Sequence, residues 1–520
     1  IDEAVSGTRI EMPVARHSCA TCRRLKRKCM RELPSCSLCR RLGKKCEYIE
    51  LPPPPTAPPP DGTSQPSLSE PNQPFPLAFF LDPDLFTPLT ASNALAPGPR
   101  VDLQQIIAKH LEPDDLPVLY HNYFSSVHEW LPMISRKRIT HPDPFSQDAC
   151  HDLLLLCMKI CTLRPNGHPP SQHPLYMLAK TLCAAAESAG LVSLRLAQSL
   201  VLLALYEACQ AIYPACYLTI SRAARLGILM SWHDRDAQQL FKFADSWSKR
   251  EEQRRTWWTI FVLDRFISMD TSGLPFAAPE PCPDELLPVN DEDWVLGKTV
   301  PSEPLYTACF SSITTLGSFA RTCQAAHMLG KVITHKHLKT KSSHDILHVV
   351  QEAQSLNRAL NSLQISIEEQ SLSNASSSSA SSLACASAIC ISAQALLYGA
   401  YGCPDAPGIT SRERLTHETE LQSISVQGLR ALGSTLAPKL AQIQSDCPLQ
   451  ARCFYTACSA CSWFIREDDE PQMKDALVTI VDGLRRLAER WPIATEYISL
   501  LEQGGILRLI DTSSETETMS

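Results

Sequence analysis

Six cysteines between residues 19 and 46 constrain this chain more than any other feature. They stand at 19, 22, 29, 36, 39 and 46, so the spacing C-x2-C-x6-C occurs twice with six residues between the copies. A shift of seventeen residues lays Cys19 on Cys36, Cys22 on Cys39 and Cys29 on Cys46. The stretch is an internal repeat of a metal-ligand half-site. A C-x2-C pair lets two thiolates grip one ion from a single turn, and structural zinc takes four ligands in a tetrahedron. Three cysteines per half-site fall one short. Six thiolates serving two tetrahedral ions must fill eight places, so two sulfurs bridge, and the symmetry of the repeat requires equivalent cysteines as the bridging pair. Two other arrangements are open to six such cysteines: one zinc with two idle thiols, or three disulfides. The regular spacing opposes the first. The x2 pairs, the basic filling and the lack of an apolar signal core in residues 1–15 oppose the second.

The filling carries charge. From Arg16 to Cys46 there are eleven Lys or Arg and one acid, Glu32. Six thiolates with two zinc ions sum to about minus two, so the module stays positive. The whole chain has a formal charge of -7, so the remainder must be acidic. A compact basic head on an acidic body suits a polyanion, and DNA phosphates are the obvious one. The segment from Cys22 to Cys29 reads as a short helix leaving the first metal pair.

On these residues the head resembles the fungal zinc binuclear cluster transcription factors, with a complete spacing match. The resemblance implies two zinc ions, with Cys19 and Cys36 as the bridges. One ion then takes Cys19, Cys22, Cys29 and Cys36, and the other Cys36, Cys39, Cys46 and Cys19. Pro34 stands where the family has a loop proline. In the family the first helix enters the major groove, and its base-reading lysine matches Lys26. A lysine donor suits the guanine O6 and N7 acceptors, so the expected partner is double-stranded DNA with a CGG-like triplet. Arg23, Arg24, Arg27 and Lys28 are expected on phosphates, which position without specifying. Arg40, Arg41, Lys44 and Lys45 of the second half-site are expected to clamp the backbone. All-thiolate shells leave no open coordination position, so the metal is structural.

The expected domain order is an N-terminal segment (1–15), the zinc cluster (16–50), a Pro-rich disordered linker (51–100), an all-α regulatory domain (101–510) and an acidic tail (511–520). Ile1 in place of methionine leaves room for residues before it. Prolines dominate 52–76 and cannot propagate a helix, so the segment reads as a stiff spacer. They also exclude the heptads that many family members place after the last cysteine. Monomeric binding, or dimerisation through the C-terminal body, is expected instead of a coiled coil. Residues 77–100 read as linker, with an acidic–apolar coactivator contact as the alternative.

From Val101 onward helical periodicity recurs, with no alternating strand runs. Asp102 is a candidate cap. Helical stretches are expected over 148–163, 194–213, 249–269, 304–335, 345–366, 384–400, 412–444, 449–465 and 472–504. Polar residues of 194–213 (Arg195, Gln198, Ser199, Glu207, Gln210) fall at spacings one helix face can hold. The Ser-rich stretch 370–388 reads as a flexible loop, and His335 and His337 as surface residues. Trp257, Trp258, Phe261 and Phe266 read as core, and Arg254, Arg255, Asp264 and Arg265 as ion-paired. Sixteen cysteines outside the head read as buried reduced thiols. Stretches 123–139, 217–234 and 251–294 resemble the family's middle homology region, which implies an all-helical regulatory domain.

No run of eighteen apolar residues occurs, so no membrane partner is expected. G-x-G-x-x-G, P-loop and H-E-x-x-H patterns are missing, so no enzyme is expected. The reading is a nuclear, sequence-specific DNA-binding regulator of RNA polymerase II genes, of the kind that governs a biosynthetic gene cluster. A zinc-stabilised protein-interaction adaptor is the alternative, but it has no need of basic residues on the first helix.

Overall fold

The computed structural model describes residues 18–24, 28–48, 75–82, 84–89, 107, 109–141, 150–164, 169–234, 236–241, 246–269, 273–305, 316–340, 346–373, 377–403 and 412–510. The chain divides into two compact units between residues 70 and 71. In the first, two short helices, α1 (Ala20–Arg24) and α2 (Ser37–Arg41), carry the two C-x2-C pairs.

Among its described residues the second unit is mostly helical. It begins with α3 (Ala78–Leu81), α4 (Leu116–Phe124), α5 (Val127–Trp130) and α6 (Arg136–Thr140). Next come α7 (His151–Thr162), α8 (Pro174–Ser188), α9 (Leu194–Cys209), α10 (Ala215–Leu229), α11 (Trp247–Ile267) and α12 (Asp291–Leu296). The C-terminal part holds α13 (Ser318–Thr340), α14 (Ile346–Ser373), α15 (Ser377–Tyr401), α16 (Arg412–Ala431), a π turn (Leu432–Leu436), α17 (Ala437–Gln442), α18 (Gln450–Asp468), α19 (Pro471–Ala488) and α20 (Pro492–Gln503). Among the described residues of this unit the β features are two isolated bridges, Leu89 with Phe241 and Leu286 with Pro304.

Local chemistry sets many boundaries. Ser193 accepts the Leu196 N–H at 3.1 Å and Ser246 the Lys249 N–H at 3.3 Å, so hydroxyl caps start α9 and α11. Prolines occupy the first turns of α8, α19 and α20, where a missing N–H costs nothing. Gly297, at φ 69°, ends α12 in the left-handed conformation. The stretch Ser381–Tyr401 within α15 has the length and mean hydropathy (1.6) to cross a membrane, yet 78% of it is buried inside the unit. It is a core helix, packed against α13, α14, α16 and α18.

Three expectations are corrected, and one is sharpened: the polar residues of α9 lie in a helix whose residues Arg195 through Cys209 are all buried. Most of its polar groups are paired internally, because a buried polar atom without a partner is costly, although Glu207 Oε2 has none. Gln198 Nε2 donates to Glu252 Oε1 at 3.1 Å, and Glu207 Oε1 accepts from Tyr176 and Lys180, each at 2.8 Å. The Ser-rich stretch is largely helix, since α14 runs to Ser373 and α15 starts at Ser377. Serines and alanines there tolerate helix once a core face is available. His335 is 1% exposed, with Nδ1 2.7 Å from Glu352 and Nε2 2.7 Å from the Tyr401 hydroxyl.

The third correction concerns the expected linker. Part of it folds onto the helical unit: Leu89 donates its N–H to the Leu240 carbonyl at 2.9 Å. Phe75, Phe79 and Phe86 pack against the buried pair Leu89 and Leu240. Four aromatic side chains within twelve residues supply enough apolar area to hold the segment down. Phe75 and Phe80 line one side of an apolar cleft of about 840 Å³, walled otherwise by α8, α10 and neighbouring residues. Asp102 and most of the proline run lie outside the described residues.

The aromatic centre matches expectation. Trp257, Trp258 and Phe261 are buried in α11, with Phe266 packed beside them. The polar residues of α11 form the strongest network. Arg255 is unexposed, bonded to Glu251 Oε1 (3.0 Å), Asp291 Oδ1 (2.6 Å) and the carbonyls of Pro132 (3.1 Å) and Val289 (2.7 Å). Asp264 and Arg265 pair at 2.6 Å, and the Asp264 carboxylate also accepts the Ala277 and Ala278 N–H groups. Burial pushes the Asp264 carboxyl upward against the pull of Arg265. Most of the described body cysteines are buried, and none of the described ones is in a disulfide, while Cys282 and Cys403 are exposed.

Candidate metal centre and nucleic-acid interface

Helices α1 and α2 place Cys19, Cys22, Cys36 and Cys39 in one buried cluster, with all four sulfurs within 4.8 Å of one another. Cys19 Sγ lies 3.8 Å from Cys36 and 3.5 Å from Cys39, and Cys22 Sγ lies 3.5 Å from Cys36 and 3.8 Å from Cys39. These separations exclude disulfides, whose sulfurs sit about 2.05 Å apart. A tetrahedron with zinc–sulfur bonds of about 2.3 Å has edges of about 3.8 Å. The donor set therefore fits zinc in both chemistry and spacing, and it differs from each expected shell by one sulfur, Cys39 standing in place of Cys29 or Cys22 in place of Cys46.

Cys29 and Cys46 flank the cluster, half-buried. The thiols of both interact with Cys19 and with Cys36. The seventeen-residue repeat is also visible in the backbone. The Cys22 N–H points at Cys19 Sγ (3.4 Å), and the Cys39 N–H points at Cys36 Sγ (3.5 Å). Burial raises the Cys19 thiol to about 12 and pushes Cys22 and Cys36 upward. At Cys29 burial is outweighed by the N–H groups of Cys19 and Arg31 and by neighbouring thiols, leaving it at about 7. Thiols this crowded cannot ionise together without a cation among them.

Two residues that support this centre carried no role in the sequence reading. Glu32, the one acid of the head, accepts the Ser37 N–H through Oε2 at 2.5 Å, at the start of α2. Tyr48 donates its hydroxyl to the Glu32 carbonyl at 2.8 Å. The chain end is tied back to α1 by Ala20 N–H to Glu47 carbonyl (2.8 Å) and Thr21 Oγ1 to Lys45 carbonyl (2.5 Å). An isolated acid in an otherwise basic run was the signal available for Glu32.

The basic residues are distributed unevenly. Arg23 and Arg24 lie on α1, while Lys26 and Arg27 fall outside the described residues. Lys28 is exposed and non-helical, so the expected helix does not extend to Cys29. Arg41 and Lys44 are exposed. Arg40 lies 4.0 Å from Glu32, and Lys45 pairs with Glu47. Exposed pairs of this kind are worth little and exchange readily for a phosphate.

Residues 17–54 match the fungal Zn(2)-Cys(6) binuclear cluster domain, and residues 120–300 match the fungal specific transcription factor domain. A cluster of this kind binds two zinc ions. Transcription factor BOA15 of Botryotinia fuckeliana is 35% identical over 184 residues, which is 34% of this chain and 98% of that protein. The pigment biosynthesis transcriptional activator pigB of Monascus ruber is 30% identical over 191 residues, 34% of each chain. The depudecin biosynthesis cluster-specific transcription activator DEP6 of Alternaria brassicicola is 28% identical over 199 residues, 33% of this chain and 31% of that one. The alignments thus span nearly all of the first relative and about a third of the other two.

Proposed function

This chain belongs to the fungal Zn(2)-Cys(6) transcription factors, and from that premise we propose that it is a nuclear, pathway-specific regulator of RNA polymerase II genes in a biosynthetic cluster. The observation that carries the DNA-binding part is the six-cysteine centre set in a basic shell, residues 17–54. Relatives named as activators of pigment and depudecin biosynthesis support the pathway part.

In this reading Cys19 and Cys36 bridge the two zinc ions, and Cys22, Cys29, Cys39 and Cys46 complete the shells. The ions supply rigidity, locking both half-sites into one body so that α1 is presented to the groove as a fixed unit. Lys26 reads guanine edges of a CGG-like triplet. Arg23, Arg24, Arg27 and Lys28 hold the flanking phosphates, and Arg40, Arg41, Lys44 and Lys45 hold backbone on the second half-site side. The domain division is taken as zinc cluster over 16–50 and regulatory domain over 101–510, with dimerisation, where it occurs, through the helical unit.

The test is selection of bound sequences from a random DNA pool by the full chain, with and without a zinc chelator. Enrichment of a CGG-like triplet that chelation abolishes is expected. No enrichment from zinc-loaded protein overturns the reading in favour of an interaction adaptor.

A further inference from the structure

The segment from Phe75 to Leu89, between the two matched domains, carries apolar surface on both of its sides. The inward side anchors it: the Phe79 and Phe86 rings lie 5.1 Å apart and pack against Leu89 and Leu240. The outward side is left uncovered. Leu77, Phe80 and Leu81 stand at i, i+3 and i+4 around the single turn of α3, the spacing of one helix face. These three, with Leu85 and with Leu218 on α10, are 57–77% exposed. Phe80 and Leu218 also line the apolar cleft of about 840 Å³, so the face of α3 runs into the cleft.

Three observations say what covers this surface. The first is its area. At about 150–200 Å² for a large apolar residue, five of them at this exposure present about 500–650 Å². The largest apolar patch on a typical monomer is about 300–600 Å². Two such patches laid together bury about 1,000–1,300 Å², which reaches the range of stable interfaces. A small molecule in the cleft would leave Leu77, Leu81 and Leu85 in water. The second is charge. Asp82 and Asp84 are exposed beside the α3 face and have no side-chain partner among the described residues. Arg225, on the α10 wall of the cleft, is likewise exposed and unpaired. The other charges of that wall are already paired, Arg222 with Glu187 and Lys180 with Glu207. The third is arrangement. One apolar centre carries unpaired acids on one side and an unpaired base on the other, and the projecting face borders the cleft that could receive it. A two-fold contact needs this self-complementarity, because residue i of each copy meets residue j of the other. A partner of a different kind would need only the acids or only the base.

We propose that this surface is a two-fold contact between copies of this chain. Leu77 and Leu81 of one copy enter the cleft beside Leu218 of the other, and Asp82 and Asp84 pair with its Arg225. The contact rests on the reading of the helical unit as the part that dimerises, and it brings two zinc clusters to one DNA site without a coiled coil.

Sedimentation velocity of the full zinc-loaded chain, without DNA, tests it. Interfaces of this size reach micromolar affinity or better, so a dimer is expected to form by about 10 µM. Leu77→Ser with Leu81→Ser removes four leucines from each dimer and should raise the dissociation constant at least about a hundredfold. Both side chains are more than half exposed, so the melting temperature should not move. Reversing the acids (Asp82→Lys with Asp84→Lys), or Arg225→Glu alone, should weaken the dimer at least about fivefold, and all three together should restore most of it. A chain still monomeric at about 100 µM overturns the proposal, and the occupant is then a different protein or a small apolar molecule. A dimer that survives loss of the two leucines overturns it as well, since the contact lies elsewhere. A triple reversal no tighter than Arg225→Glu overturns the two-fold register. With no DNA present, each of these results is independent of the triplet selection, whose failure would leave the dimer measurement standing.

Discussion

Replacing Arg255 with methionine tests the network at the centre of the helical unit. Its guanidinium has no exposed surface and reaches Glu251, Asp291 and the carbonyls of Pro132 and Val289, all within 3.1 Å. It also lies 4.1 Å from the centroid of the Trp294 ring. One side chain therefore ties α11 to the turn before α6, to the loop at Val289 and to α12. Its removal leaves Glu251, equally unexposed, with the Val289 N–H at 2.9 Å and Arg254 at 2.5 Å as its remaining partners. Breaking one side of a buried pair costs about 3–5 kcal/mol, and four lost hydrogen bonds at about 1 kcal/mol each reach a similar sum. That is a large share of a total stability of about 5–15 kcal/mol. A unit of this length need not unfold in two states, so the quantity to follow is the urea midpoint of tryptophan fluorescence. With a slope of about 3–5 kcal/mol per M for a chain this large, Arg255→Met should lower the midpoint by about 1 M. Adding Glu251→Gln removes the part of the buried carboxylate charge that Arg254 alone does not balance and should recover part of that loss. A shift under about 0.2 M for the single variant, or a double variant less stable than the single, would refute the reasoning.

Three further predictions follow from the sites. Cys36→Ser removes a thiolate proposed to serve both ions and should lower bound zinc, read by native mass spectrometry, more than Cys39→Ser, which touches one; equal losses would count against bridging by Cys36. Lys26→Ala should erase base preference in a selection while leaving zinc content unchanged, and neutralisation of about five phosphates predicts a slope of log affinity against log salt of about -4 to -5; retained preference would remove Lys26 as the reader. His128 is held down to about 3, first by burial and then by the charge of Arg255. Its folded value lies below the unfolded one, so its contribution is complete above about 6.5 and is lost as pH falls toward about 3, by up to about 1.4 kcal/mol per pH unit. His128→Phe should flatten the fall of the urea midpoint between pH 6.5 and 4, and an unchanged profile would show that other groups set it.

The zinc centre was legible because its information is local. Six ligands within twenty-eight residues, in a repeated spacing, leave few ways to satisfy a tetrahedral ion, and the charge of the intervening residues needs only counting. Several helices from 148 onward were likewise written in apolar periodicity, but α8 and α10 were not among the expected stretches, and the one expected from 304 begins instead at a bridge residue. Periodicity says that a face is polar but not what the face meets. The spacing of Arg195, Gln198 and Glu207 said that one face of α9 could hold them but not that the face is buried, and Glu252, Tyr176 and Lys180, from other helices, arrive to pair with them there. The same holds for His335, which needs Glu352 and Tyr401 to be buried at all. Serines in 370–388 have weak preferences of their own, and only the packing of α14 against α15 made them helix. Phe75, Phe79 and Phe86 could not be placed until Leu240 supplied a surface to cover. Metal ligands, charge and helical periodicity are properties of neighbouring residues, so the sequence determined them by itself. Burial of polar groups is decided by partners distant in the chain, and only the tertiary structure brings those together.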